Sequence, residues 1–260
     1  MLLSSGFARI TLNPEDGVTL TTVLRECRTF FARSTARKQQ HASADGNSGY
    51  RAMGQEYSAS PDRPDVNEVF SLWSDRIDLI PEPDGLGALA VALVDWRGVM
   101  VRVVQELLEE VAGRFAAAAP PFAKASQIQV NHYFPAPTTR SLLQDRHEDG
   151  NIATVVHATA PGLEVLPRGR QQPVETTPGE VFVLPGATLT DLTGGAVAAL
   201  DHQVRNLGVP DRQSIMYFVN PELERPVHAW VGDAATRAVD LRDVVRNRPA
   251  AYGLPAVPVL

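Results

Sequence analysis

His147-Glu148-Asp149 near the middle of the chain and His202 further along supply two imidazoles and one carboxylate. In an extended strand, side chains alternate between faces, so positions i and i+2 point the same way. His147 and Asp149 are therefore expected to grip one ion from a single strand, while Glu148 faces elsewhere. His202 closes the third corner from a neighbouring strand. Two His and one carboxylate gathered on one side of an ion leave its opposite positions free, an arrangement suited to Fe(II) that must bind further ligands.

His and Asp are ordinary surface residues, so a bare His-x-Asp says little alone. Two further pairs strengthen it. Arg212 and Ser214 share a strand face downstream of His202, and a guanidinium beside a hydroxyl is a good receptor for a carboxylate. Upstream, Asn131 and Tyr133 repeat the same alternation around His132. The remaining histidines, His41, His132, His157 and His228, are read as ordinary hydrogen-bonding residues.

With these pairs goes an ordered set of short motifs. Gly6-Phe7 precedes Ile10-Thr11-Leu12, Phe30-Phe31 follows, and then Gly49-Tyr50 and Asp65-x-x-Glu68-x-Phe70. After them come Asn131-x-Tyr133-x-Pro135, His147-x-Asp149 with Thr154, and Pro161-Gly162-Leu163-Glu164-Val165. Pro178-Gly179-Glu180, Gly186, His202-x-Val204, Arg212-x-Ser214 and Asn220-Pro221 complete it. In this order the chain resembles the iron- and 2-oxoglutarate-dependent oxygenases of the isopenicillin N synthase-like superfamily. Two departures stand out. Where the family often has Arg after the distal His, this chain has Gln203, with Arg205 two positions on; and the segment after Pro221 matches no family pattern.

The resemblance implies a double-stranded β-helix (jelly-roll), an α+β protein with a mainly β core and flanking helices packed on one face. It implies Fe(II) on His147, Asp149 and His202. It also implies 2-oxoglutarate held at its far carboxylate by Arg212, Ser214 and Tyr133, with Asn131 toward the metal-proximal end. O2 is the second cosubstrate and ascorbate an activator. Arg51 falls in a segment that in relatives passes over the site mouth, where it could hold a substrate carboxylate. The expected outcome is hydroxylation, desaturation or cyclisation of a small molecule in specialised biosynthesis. Halogenation is not expected, because Asp149 fills the position that chain halogenases leave to a small residue. Two alternatives stay open: an iron enzyme of the same fold that needs no 2-oxoglutarate, and a non-catalytic jelly-roll binding protein.

The elements that must position these residues follow from patterning. Asn13-Pro14-Glu15-Asp16 predicts a helix start, with Asn as cap, Pro in the first turn and acids against the dipole. Leu20, Val23, Leu24, Cys27, Phe30 and Phe31 follow at helical spacing. Residues 34–67 read as loop. A long helix is expected from about Leu86 to Phe115, with Gly98 as a possible break. Beyond Ser126 the period shifts to strands, predicted at Gln127–Phe134, Ile152–His157, Glu180–Leu184 and Ser214–Val219 and separated by Gly and Pro turns. Gly194-Gly195 reads as a tight connection before the strand bearing His202. The chain is read as one oxygenase domain over 1–260: a mainly helical wrapping (1–125), a core (126–221) and a C-terminal segment near the site (222–260).

Bulk properties bound the class. With 44% hydrophobic residues, 260 residues can bury a sizeable core. A formal charge of −6 gives no basic field for nucleic acid. The lone cysteine, Cys27, cannot form an internal disulfide and sits at an apolar helical position. Absence of a secretory pattern and of a long apolar run points to a cytoplasmic protein off the membrane.

Overall fold

A computed structural model describes residues 2, 6–137, 139–222, 227–232 and 238–239. Strand β1 (Ala8–Thr11) leads into helix α1 (Pro14–Phe31). The Asn13 side chain accepts from the Asp16 amide at 2.9 Å, the expected cap. A short helix α2 (Thr35–Gln39) and strands β2 (Gly49–Arg51) and β3 (Asn67–Trp73) follow, and then the long helix α3 (Ala88–Gly113). The next strands are β4 (Gln127–Tyr133), β5 (Leu142–His147), β6 (Ala153–Ala158), β7 (Leu163–Val165), β8 (Gln172–Pro173) and β9 (Glu180–Pro185). Helix α4 (Ala187–Leu192) then precedes β10 (His202–Arg205) and β11 (Arg212–Val219).

These strands form a jelly-roll of two antiparallel sheets. The larger has seven strands in the order β1-β9-β6-β11-β4-β3-β2, and the smaller has four in the order β5-β10-β7-β8. Strand alternation divides the large sheet's side chains between two cores. Ile215 and Tyr217 of β11, with Ile128 and Val130 of β4, face the helices and pack with Phe30, Leu93, Trp96 and Met100. Met216 and Phe218 face inward and pack with Val156, Phe182 and Leu184 against Leu163 and Val165 of the small sheet. Burial of such side chains stabilises by roughly 1.5–3 kcal/mol each, so both cores hold the two sheets in place around whatever lies between them.

The structure departs from the sequence reading in four places. Residues 34–67 contain α2 and β2 and lead directly into β3, rather than forming one loop. Strand β3 carries Asn67, Glu68 and Ser71, yet nearly all of it is buried, because both faces are covered and no polar alternation survives to mark it. Gly98 does not interrupt α3: the buried stripe from Leu89 to Val111 outweighs the roughly 1 kcal/mol cost of one helical glycine. The region before residue 126, expected as a mainly helical wrapping, also contributes β1, β2 and β3 to the large sheet. Most of segment 222–260, expected near the site, lies outside the described residues.

Candidate active site

His147 ends β5 and His202 begins β10, and the two are direct partners in the ladder between those strands. Their ring centroids are 4.3 Å apart. Asp149 completes the group, but not from the strand: β5 stops at His147, and Asp149 lies in the following turn. The i, i+2 alternation expected of one strand therefore places only His147. Asp149 is held instead by its own contacts. Its backbone oxygen accepts from Ala187 N at 2.8 Å at the start of α4, and its Oδ2 accepts from Thr154 Oγ1 at 2.5 Å. Asn151 in turn donates to Thr154 at 2.9 Å. Gly186 permits this docking, because a Cβ there would lie 2.2 Å from the Asn151 carbonyl oxygen. Glu148 is exposed, as expected.

The three side chains converge. The Nε2 atoms of His147 and His202 lie 3.6 and 3.7 Å from the two Asp149 oxygens. One candidate ligand atom from each residue falls within 4.8 Å of the others, the one such His/Cys/Asp/Glu group among the described residues. Each imidazole is oriented from behind: His147 Nδ1 faces the Asp145 carbonyl at 2.8 Å, and His202 Nδ1 faces that of Leu200 at 3.1 Å. A proton on each Nδ1 leaves the Nε2 lone pairs aimed at the common centre, the way metal-bound imidazoles are held. Burial, reinforced by the neighbouring His202, holds His147 below the ordinary imidazole range, so it is neutral as a metal requires. The donor set therefore fits a divalent transition metal with open positions.

Arg212, Ser214, Tyr133 and Asn131 meet on the large sheet. Tyr133 pairs with Arg212 and Asn131 with Ser214 in the β4–β11 ladder. The guanidinium carbon lies 4.6 Å from the Tyr133 ring centroid, and Nε donates to the Pro161 carbonyl at 3.2 Å. Gly162 leaves room beside it, since a Cβ there would approach Arg212 Nε to 3.5 Å and the Arg205 oxygen to 3.0 Å. Arg212 is 1% exposed, its Nη1 has no hydrogen-bond partner, and among the described residues no carboxylate pairs with it. A guanidinium buried without a counter-charge is costly. Burial pulls its proton affinity down, and Tyr133 opposes that only in part.

A narrow cavity of about 30 Å³ joins the two groups, lined at one end by His147, Asp149 and His202 and at the other by Tyr133, Arg212 and Ser214. Asn131 is not on its wall; it donates to Tyr133 Oη at 3.2 Å and accepts from Gln129 at 3.0 Å, so it supports Tyr133. Arg51 does not open into it either. It is buried on β2, donating to Gln129 at 3.0 Å and Ser71 at 3.2 Å and facing Glu56 at 3.4 Å. Those contacts correct the expectation that it waits for a substrate carboxylate. The sequence reading missed Gln144, which accepts from Tyr133 at 2.9 Å and lines the cavity, and no pattern announced it. Met216 and Phe218 also line it, and continuing the alternation from Arg212 and Ser214 would have found both.

The comparisons agree with this geometry. Residues 125–221 match the profile of the 2OG-Fe(II) oxygenase superfamily. A 2-oxoglutarate-dependent ethylene/succinate-forming enzyme of Ralstonia nicotianae is 26% identical, over 91% of this chain and 80% of that protein. A full-length Neurospora crassa protein, solved in complex with alpha-KG and thymine, superposes with a TM-score of 0.78 at 18% identity, covering 96% of this chain and 89% of that one. A putative 2OG-Fe(II) oxygenase family protein from Caulobacter crescentus gives 0.77 at 20% identity, covering 95% and 91%. The structural likenesses speak to the fold.

Proposed function

We propose, from the premise that the chain belongs to the 2OG-Fe(II) oxygenase superfamily and is a 2-oxoglutarate-dependent dioxygenase, that it oxidises a small molecule at the His147–Asp149–His202 centre. The observation that carries the residue assignment is Arg212, a buried guanidinium without a carboxylate partner, at the far end of the cavity from that centre. A dicarboxylic 2-oxo acid has the two ends this cavity needs: a chelating end for the metal and a carboxylate for Arg212.

When bound, Fe(II) with 2-oxoglutarate and O2 supplies the oxidising chemistry, giving succinate and CO2 as the substrate is oxidised. The residues bind and orient. His147 and His202 point Nε2 at the common centre because their Nδ1 atoms are engaged by backbone carbonyls. Asp149 is aimed by Thr154. Arg212 provides the planar fork, and the hydroxyls of Ser214 and Tyr133 stand beside it, 3.4 Å apart. Val156, Leu163, Leu184 and Phe218 keep the cavity wall between the two ends apolar and dry. The cavity is narrow, so a five-carbon ligand enters as flexible lining side chains such as Met216 and Gln144 move aside. With Asp149 filling the carboxylate position, the outcomes we infer are hydroxylation, desaturation or cyclisation. The relative solved with thymine supports a small-molecule substrate.

The test is titration of 2-oxoglutarate against the anaerobic Fe(II) protein, following the metal-to-ligand charge-transfer band. Arg212→Leu should weaken binding by roughly a hundredfold or more, because loss of one partner of a buried ion pair costs about 3–5 kcal/mol. Iron content should be unchanged. Equal affinity in wild type and variant, or substrate turnover without 2-oxoglutarate, would overturn the assignment.

A further inference from the structure

The face of β4 opposite the cavity carries a chain of charged contacts. His132 lies between Asn131 and Tyr133 in sequence but points to the helical side, in register with Gln213. Its ring rests on Phe31, with centroids 5.1 Å apart, and lies 5.2 Å from that of Phe134. Both ring nitrogens face carboxylates: Nδ1 is 2.9 Å from Glu68 of β3, and Nε2 is 3.3 Å from Asp211. Glu68 also receives Lys38 of α2 at 2.5 Å and Tyr50 of β2 at 2.6 Å. Asp211 also receives Arg28 of α1 at 2.9 Å. These are the charged and titratable groups around the ring.

Asp211 is the residue immediately before Arg212, and its backbone is left-handed, with φ of 54°. That conformation is uncommon outside glycine, although Asp and Asn tolerate it better than most. Its two side-chain contacts anchor it to β4 and α1. The direction of the Arg212 backbone as β11 begins therefore depends on what holds Asp211.

We propose that His132 is a positioning residue for the cosubstrate: with both nitrogens protonated it clamps Asp211 and so sets the geometry from which Arg212 reaches the cavity. This rests on the reading of Arg212 given above. An imidazole facing an acceptor on each side satisfies both only as the imidazolium. When it loses one proton, the shorter and more buried contact to Glu68 keeps the remaining N–H. A lone pair then faces the Asp211 carboxylate and the clamp opens. Affinity for 2-oxoglutarate should accordingly be higher with the doubly protonated ring than with the neutral one, by an amount that depends on Asp211 being charged.

The experiment compares wild type with Asp211→Asn and His132→Gln. Asn keeps the tolerance for the left-handed backbone, and Asp211 is half-exposed, so folding should survive. Calorimetric titration of 2-oxoglutarate into the anaerobic Fe(II) protein is run at several values from about pH 6 to pH 9. At the acid end wild type should bind about threefold to fivefold more tightly than Asp211→Asn, the scale of one partly exposed charged contact. The gap should close toward the alkaline end. His132→Gln, which cannot titrate, should track Asp211→Asn. Amide hydrogen exchange over residues 209–214 should be faster in both variants at the acid end. Superimposed affinity curves, or an offset constant with pH, would overturn the proposal. If Arg212→Leu leaves affinity intact, the cosubstrate reading fails instead, while hydrogen exchange still reports whether the clamp exists.

Discussion

His202 stands directly across the β5–β10 ladder from His147, so the two imidazoles of the candidate metal group share one rung of the small sheet. The rung sets their backbones side by side, and each ring is then turned by its Nδ1 contact to a carbonyl. Asp149 comes from a loop held by α4 and Thr154, and its position depends on side-chain and turn contacts.

That difference sets an order among variants. His147→Ala, Asp149→Ala and His202→Ala should each lose most iron affinity and essentially all turnover. Thr154→Val should weaken iron binding by about 10- to 100-fold, the usual effect of removing a group that orients a ligand. Glu148→Ala should bind iron as wild type does. Iron stoichiometry after anaerobic reconstitution decides each case, and full loading of any of the three Ala variants would remove that residue from the centre.

Around Arg212, the neutral partners should matter less than the charge. Tyr133→Phe and Ser214→Ala each remove one hydroxyl, worth about 0.5–1.5 kcal/mol, so the 2-oxoglutarate constant should rise by roughly twofold to tenfold. A larger effect from Tyr133→Phe than from Arg212→Leu would show that the guanidinium is not the main anchor.

Gly186 tests the loop. Its φ of −103° is open to any residue, so the cost of Gly186→Ala is the contact a Cβ would make with the Asn151 backbone. The 148–152 turn must shift, and Asp149 with it. The variant should fold with a lowered Tm and bind iron weakly; near-normal iron binding would mean the turn relaxes without moving Asp149.

The Lys38–Glu68 pair behind β4 links stability to pH. Burial pushes Glu68 upward, but hydrogen bonds from His132, Lys38 and Tyr50 outweigh it and leave the carboxyl below its ordinary value. A depressed acid stabilises the fold above its unfolded pKa, near 4.3, and that stability is lost as pH falls through the folded value. Glu68→Gln should flatten this acid limb in urea melts. It should also cost about 3–5 kcal/mol near neutral pH, because Lys38 stays buried unpaired. Lys38→Met with Glu68→Gln should recover part of that loss; if the double variant is no more stable than the single one, the pair is not what the Gln substitution breaks.

Much of this molecule can be read from residue types and spacing. The cap at Asn13, the stripes of α1 and α3, and the strands β4, β6, β9 and β11 follow from local periodicity, which needs no knowledge of distant residues. Arg212 with Ser214 and Tyr133 are visible because strand alternation ties a side chain's direction to its number, and His147, Asp149 and His202 because their residue types suit one ion. What tertiary structure decided lies where direction is set from outside the segment. Strand β3 is buried on both faces and shows no alternation. Asp149 leaves the strand and is aimed by Thr154 and α4. Arg51 is enclosed by Glu56, Ser71 and Gln129 rather than open to substrate. Asn131 is turned to Tyr133, and Gln144 enters the cavity because the β5–β10 register shifts between His202 and Val204. In each case the partner that fixes the side chain comes from a distant segment, and a one-dimensional pattern carries no record of which segments will meet.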